Sequence, residues 1–214
     1  MEYFQAKGDS RQLGILHGQR YRKQIREAFE THCVFDMTKR ELEEICFDLD
    51  EKLRQFAPDA AEEILAIAEG SGLQYQQALQ LNNWEEIAHL SSENRTGCCT
   101  SILFRDTPDG PILGKTTDIE PAQVSDYFLY DILPEHGFHM LILGKIGTLK
   151  CEAGMNEKGL CAGSNSSIEQ NMETGHIERM PLLRRTLQQC GDVDAALDFL
   201  KERRCYRLGL NITL

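Results

Sequence analysis

Between residues 98 and 165 the sequence passes through six strand-like stretches with only short turns between them. They are "CCTSILF", "PILGKTTD", "YFLYDIL", "HMLILGKI", "TLKCEAGM" and "GLCAGSN". The first two flank "DTPDG", whose Pro-Asp-Gly core predicts a hairpin turn. The others are separated by His136–Gly137, Gly147 and "NEKG". Helical spacing precedes this block and two short helical patterns follow it, so the strands are gathered rather than alternated with helices. That order predicts an α+β fold in layers instead of a βαβ repeat.

The first part is helical by its apolar period. Residues 9–35 predict one helix with Leu13, Leu16, Tyr21 and Ile25 as buried positions. Thr38 and Glu41 form a capping-box pair ahead of Leu42, Ile45, Cys46, Leu49 and Leu53. Pro58 suits a first turn, Ile64, Leu65, Ile67 and Ala68 carry the apolar face, and Gly70 and Gly72 stop that helix. A fourth helix is expected from about Tyr75 to His89. After the strands, "RMPLLRRTLQQC" and "DVDAALDFLKERR" predict two helices, the second capped by Asp192, and "GLNITL" opens a further strand. A strand starting so close to the last residue leaves an edge to be completed, and the expectation is a fold that is incomplete at its C-terminal side.

The formal net charge of −11 and the lack of a basic run argue against nucleic acid or an anionic membrane as partner. The opening "MEYFQAKGDS" has no signal-peptide pattern, and no apolar run has the length of a membrane span. These features predict a cytoplasmic chain whose eight cysteines are mostly reduced core thiols. The Cys98–Cys99 pair stands apart. Adjacent cysteines strain a mutual disulfide, and their spacing does not suit a structural zinc site.

A thiol at the head of a strand, behind a polar glycine-containing loop, has another use. It can attack the preceding carbonyl, and hydrolysis of the resulting thioester leaves Cys99 with a free α-amine. Such an amine titrates near pH ~7.7–8.0 and can take the thiol's proton at neutral pH. One residue then supplies nucleophile and base. The site also needs a carboxylate for the amine and donors for an oxyanion. Asp118, at the end of the partner strand, lies near Cys99 if the hairpin turns at Pro108–Gly110, and Asn165 can offer a side-chain amide. Taken singly, each of these residues has an ordinary structural use: a core thiol, a turn aspartate, a loop asparagine.

In "LGILHG" (13–18), "AEGSGL" (68–73), "LQLNNWEE" (79–86), "CTS" (99–101), "DGPILGKTTD" (109–118) and "GMNEKGLCAGSN" (154–165) the chain resembles the isopenicillin N acyltransferase family of N-terminal nucleophile hydrolases. The last segment is also similar to choloylglycine hydrolases and penicillin V acylases. The resemblance implies a four-layer αββα fold forming a single domain over 1–214. It further implies Cys99 as nucleophile, autoproteolysis at Cys98–Cys99, Asp118 as the contact of the freed amine and Asn165 as the oxyanion asparagine. Residues 1–98 would remain docked as a small subunit, with 99–214 as the first part of the catalytic sheet and helices.

Two departures accompany the resemblance. Thr116 and Thr117 stand where the family often has an asparagine and an aromatic, and Lys115 stands where the choloylglycine hydrolases carry an arginine. Lysine keeps the charge without the guanidinium fork. Gly97 precedes Cys98, so cleavage at Gly97–Cys98 with Cys98 as nucleophile is the alternative. The family's chains also continue with further strands and another asparagine, which implies a missing C-terminal segment or self-association to replace it. The function expected is that of a self-cleaving cysteine amidohydrolase or acyltransferase. It would act on a small-molecule linear amide or acyl substrate, without cofactor or metal, with Lys115, Thr116 and Thr117 supporting the site. A non-catalytic remnant serving as a binding module is the competing expectation.

Overall fold

The structure, a computed structural model, describes residues 1–90, 99–119, 121–167, 179–202 and 209–214. The chain opens with a strand, β1 (Glu2–Gly8), which the sequence pattern did not predict. Helices α1 (Ser10–Arg20), α2 (Arg22–His32), α3 (Lys39–Phe56), α4 (Pro58–Ser71), α5 (Tyr75–Asn82) and α6 (Trp84–Leu90) follow. The hairpin β2 (Cys99–Phe104) and β3 (Ile112–Thr117) comes next, and a 3-10 turn at Pro121–Asp126 leads to β4 (Tyr127–Pro134). Then come β5 (Met140–Lys145), β6 (Cys151–Asn156), β7 (Cys161–Ser167), α7 (Arg179–Gln189), α8 (Val193–Lys201) and β8 (Gly209–Thr213).

Two expected helices are each split. The 9–35 helix breaks at Tyr21, whose φ of −113° and ψ of 23° leave the helical region. Its ring is buried against Phe4, Phe128 and His17, so packing on the sheet sets the break. The 75–89 helix breaks at Asn83. There Asn82 turns inward, donating to the Gly147 carbonyl and accepting from the Leu149 N–H across the β5–β6 turn. The Thr38–Glu41 capping box, the Gly72 helix stop and the Asp192 cap all form.

Six strands make one sheet in the order β1-β4-β5-β6-β7-β8, and β2 and β3 make a separate two-stranded sheet. Among the described residues only β1 runs parallel to its neighbour, pairing Glu2 with Phe128 through Gly8 with Pro134; the other pairs are antiparallel. Phe128, Tyr130, Ile132, Met140 and Ile142 point to one face and are buried in the main core with residues from α1, α4 and α7. The α1–α4 contact is close because both helices carry glycines there. A Cβ on Gly14 would lie 2.4 Å from the Glu63 carbonyl oxygen, and one on Gly18 would lie 2.5 Å from that of Ile67. The "LGILHG" and "AEGSGL" segments therefore meet as a glycine-lined helix crossing.

On this face His17 is fully buried, edge-on to Tyr21, Phe128 and Tyr130, and its Nε2 accepts from the Gly147 N–H. Burial, aided by the Arg184 charge, lowers its pKa from 6.5 to about 3, so the ring stays neutral as a packing and acceptor group. Arg184 and Glu63 form a bidentate pair, both bonds 2.9 Å, inside the same core. No helix among the described residues is long and apolar enough to cross a membrane.

The hairpin lies on the opposite face, over β7. Its outer side is open, with Ile102 50%, Phe104 57% and Ile112 48% exposed. The α+β class is therefore observed as helices, a six-stranded sheet and a two-stranded hairpin.

Candidate active site

The hairpin register sorts its side chains into two sets. Cys99 stands opposite Thr117, Ser101 opposite Lys115, and Leu103 opposite Leu113. Cys99, Ser101, Leu113, Lys115 and Thr117 are half-buried, whereas Thr100, Ile102, Gly114 and Thr116 are exposed. Directly opposed residues share a face. A polar inward row thus faces β7, and Thr116 points away from it.

Lys115 organises this row. Its Nζ lies 3.8 Å from the Cys99 Sγ, donates to Glu152 Oε2 at 2.8 Å and also donates to the Thr117 hydroxyl. The side chains of Lys115 and Glu152 are only 4% and 2% exposed. Glu152 is shared: Lys150 approaches its Oε1 at 2.7 Å and reaches Glu85 on α6 at 2.8 Å, while the Tyr127 hydroxyl donates to Oε1 at 3.2 Å. Burial pushes the Glu152 carboxyl up, but Lys150 and Lys115 outweigh it and hold the group below its ordinary value. Burial also raises the Tyr127 phenol, which therefore remains a protonated donor. Lys145, packed over the Trp84 and Tyr127 rings, is lowered by burial and next by the Lys150 charge.

Asn165 on β7 joins the hairpin through Ser101, whose hydroxyl donates to Asn165 Oδ1 at 2.8 Å. Gly163, two residues earlier on the same face, lies under the hairpin. A Cβ there would stand 3.4 Å from the Ser101 Oγ and 3.8 Å from the Lys115 Cδ. Across β7, Asn211 of β8 stands directly opposite Asn165.

The expected residues are thus placed unequally. Cys99, Lys115, Thr117 and Asn165 converge on one side of the hairpin. Asp118 falls one residue beyond the strand, next to the Cys99 partner Thr117, and is exposed. Thr116 lies on the outer side. Cys98 and the Gly97–Cys98 bond lie outside the described residues. Glu152, Lys150, Ser101 and Asn211 were not singled out in the sequence. Only Ser101, at strand spacing from Cys99, carried a local signal.

Chemically, the set offers an ammonium beside a thiol and a side-chain amide fixed at its oxygen. Among the described residues no group of three or more His, Cys, Asp or Glu side chains could hold a metal ion.

The family model for acyl-coenzyme A:6-aminopenicillanic acid acyl-transferase matches residues 105–214. The chain belongs to this acyltransferase family. The match takes in Lys115, Asp118, Glu152, Asn165 and Asn211 and begins after Cys99. The acyl-coenzyme A:6-aminopenicillanic-acid-acyltransferase 40 kDa form of Emericella nidulans is 30% identical over 127 residues, 57% of this chain. The matched part is 35% of that relative, so the chain spans about a third of the length of the curated acyltransferase it resembles.

Proposed function

We propose that the chain is a cysteine N-terminal nucleophile acyltransferase or amidase that makes its own catalytic amine. The Cys99 Sγ attacks the carbonyl carbon of residue 98. The peptide C–N bond breaks as the thioester forms, and the nitrogen of Cys99 takes a proton. Water then hydrolyses the thioester, releasing residues 1–98 as a docked small subunit and leaving Cys99 at a new N-terminus.

In turnover the α-amine takes the thiol's proton, and the thiolate attacks the carbonyl of a linear amide or acyl thioester. The amine returns the proton to the leaving group. The acyl group, held on sulfur, passes to water or to an acceptor amine. Lys115 stabilises the thiolate, Asn165 donates to the oxyanion, and Asp118 adjusts to hold the freed ammonium. A four-layer αββα arrangement is the fold this reading implies.

The observation that carries the proposal is the 3.8 Å approach of the Lys115 ammonium to the Cys99 sulfur, inside a polar row that also reaches Asn165. A core thiol would have apolar neighbours instead. Family membership supports acyl transfer as the reaction class, and the relative's printed name supplies acyl-coenzyme A as one donor to try.

The test is the intact mass of denatured protein. Fragments 1–98 and 99–214 are expected, and a cut one residue earlier would move the nucleophile to Cys98. Cys99→Ala should leave one uncut chain. A wild-type chain that stays whole and takes no acyl group at Cys99 would instead support a binding module, a reading favoured by the exposed Ile102, Phe104 and Ile112 of the outer hairpin.

A further inference from the structure

We infer that Ser101 is a positioning residue for Asn165, fixing its amide so that the nitrogen, and not the oxygen, is presented to an acyl oxygen on Cys99. The inference rests on the Cys99 reading above and adds a residue to it. A carboxamide has two ends of nearly equal shape and opposite polarity. Turned one way it donates to an oxyanion; turned the other, its lone pairs repel that oxyanion. Something must choose.

The Ser101 hydroxyl makes that choice by donating to Oδ1 at 2.8 Å. With the oxygen engaged, Nδ2–H is what the amide has left to offer. Ser101 reaches this position for three local reasons. It lies two residues beyond Cys99 on one strand, so both side chains project from the same face. It is paired with Lys115, the residue that approaches the thiol. Beneath it is Gly163, where an added Cβ would make ordinary contacts, 3.4 Å to the Ser101 oxygen and 3.6 Å to the Leu113 Cδ2. The hairpin thus rests directly on β7, and Asn165 follows two residues later on that face. Nucleophile, orienting hydroxyl and amide are thereby set by one strand pair and one close sheet contact.

The inference is tested by acylation with 4-nitrophenyl acetate, following nitrophenolate release and the acetyl mass increment on the Cys99 fragment. Asn165→Ala should slow acylation by about 100-fold, the scale of removing one oxyanion donor. Ser101→Ala should slow it by roughly tenfold at saturating ester, with the half-saturating concentration unchanged, as expected when only transition-state contact is lost. Ser101→Thr, which restores a hydroxyl, should return the rate to within about twofold of wild type, and the Ser101→Ala/Asn165→Ala double variant should be no slower than Asn165→Ala alone.

A Ser101→Ala rate within twofold of wild type overturns the inference, provided Cys99→Ala is inert. So does a double variant whose losses multiply. Undiminished acetylation of Cys99→Ala, or a wild-type chain that gains no acetyl group, overturns the Cys99 reading itself and removes any role for Ser101 with it.

Discussion

The two faces of the six-stranded sheet are built to opposite specifications. On the helical side, Phe128, Tyr130, Ile132, Met140 and Ile142 are at most 2% exposed, and the buried Glu63–Arg184 ion pair is bidentate. On the other side Leu129, Leu141 and Met155 are 36%, 39% and 50% exposed, and the hairpin covers mainly β7. Its buried charges form an extended chain, Lys115–Glu152–Lys150–Glu85, that ends beside a thiol. One face concentrates stability. The other is more open and shares its charges along a chain that leaves a lysine beside the Cys99 sulfur.

Stability measurements can break this contrast. The largest effect is expected from Arg184→Met, which leaves the Glu63 carboxylate buried without its partner and should cost about 3–5 kcal/mol in urea unfolding. An equally large loss from Lys115→Met would erase the distinction. Next comes a matched pair on β5. Ile142→Ala should cost about 2–5 kcal/mol by opening a cavity in the helical core. Its neighbour Leu141→Ala, on the open face, should stay within about 1 kcal/mol. Similar losses from the two would mean that both faces are sealed.

The third prediction concerns acid. His17 has a folded pKa near 3 against an ordinary 6.5, so the unfolded chain binds a proton that the folded chain refuses. Its contribution is complete above pH 6.5 and is lost as pH falls from there toward 3. His17→Gln, which retains an acceptor for the Gly147 N–H, should therefore flatten the fall of Tm across that window. An unchanged acid limb would place the sensitivity elsewhere.

Lys115→Met should cost far less than Arg184→Met, about 1–2 kcal/mol, because Lys150 still neutralises Glu152. Its signature is kinetic: with the Nζ donor gone from beside the Cys99 sulfur, iodoacetamide should alkylate that sulfur several-fold more slowly. Alkylation at the wild-type rate would detach Lys115 from the thiol.

What could be read beforehand followed the range of the interactions. The Thr38–Glu41 cap, the Gly72 stop and the "DTPDG" turn act within a few residues, so the sequence displays them directly. Strand β1 was hidden because its strand partner, β4, begins at Tyr127, and because its exposed Glu2, Gln5 and Lys7 blur the apolar signal. The breaks at Tyr21 and Asn83 were hidden for the same reason: each is imposed by the sheet and its turns. The site divides along this line as well. Cys99, Lys115 and Asn165 were marked by their place in recognisable segments. Glu152 sits in an unremarkable "CEAGMN", and its partners come from β3, β4 and the β5–β6 connection.

The place of β1 has a practical result for anyone handling this protein. The N-terminal strand is hydrogen-bonded along its whole length into the sheet that carries Asn165, and α1 and α4 rest on that sheet from the same side of any break before Cys99. Severing the backbone there would leave two polypeptides laced through one another, migrating as one particle in a gel-filtration column. Only conditions that dissolve the sheet would reveal whether a molecule is one piece or two.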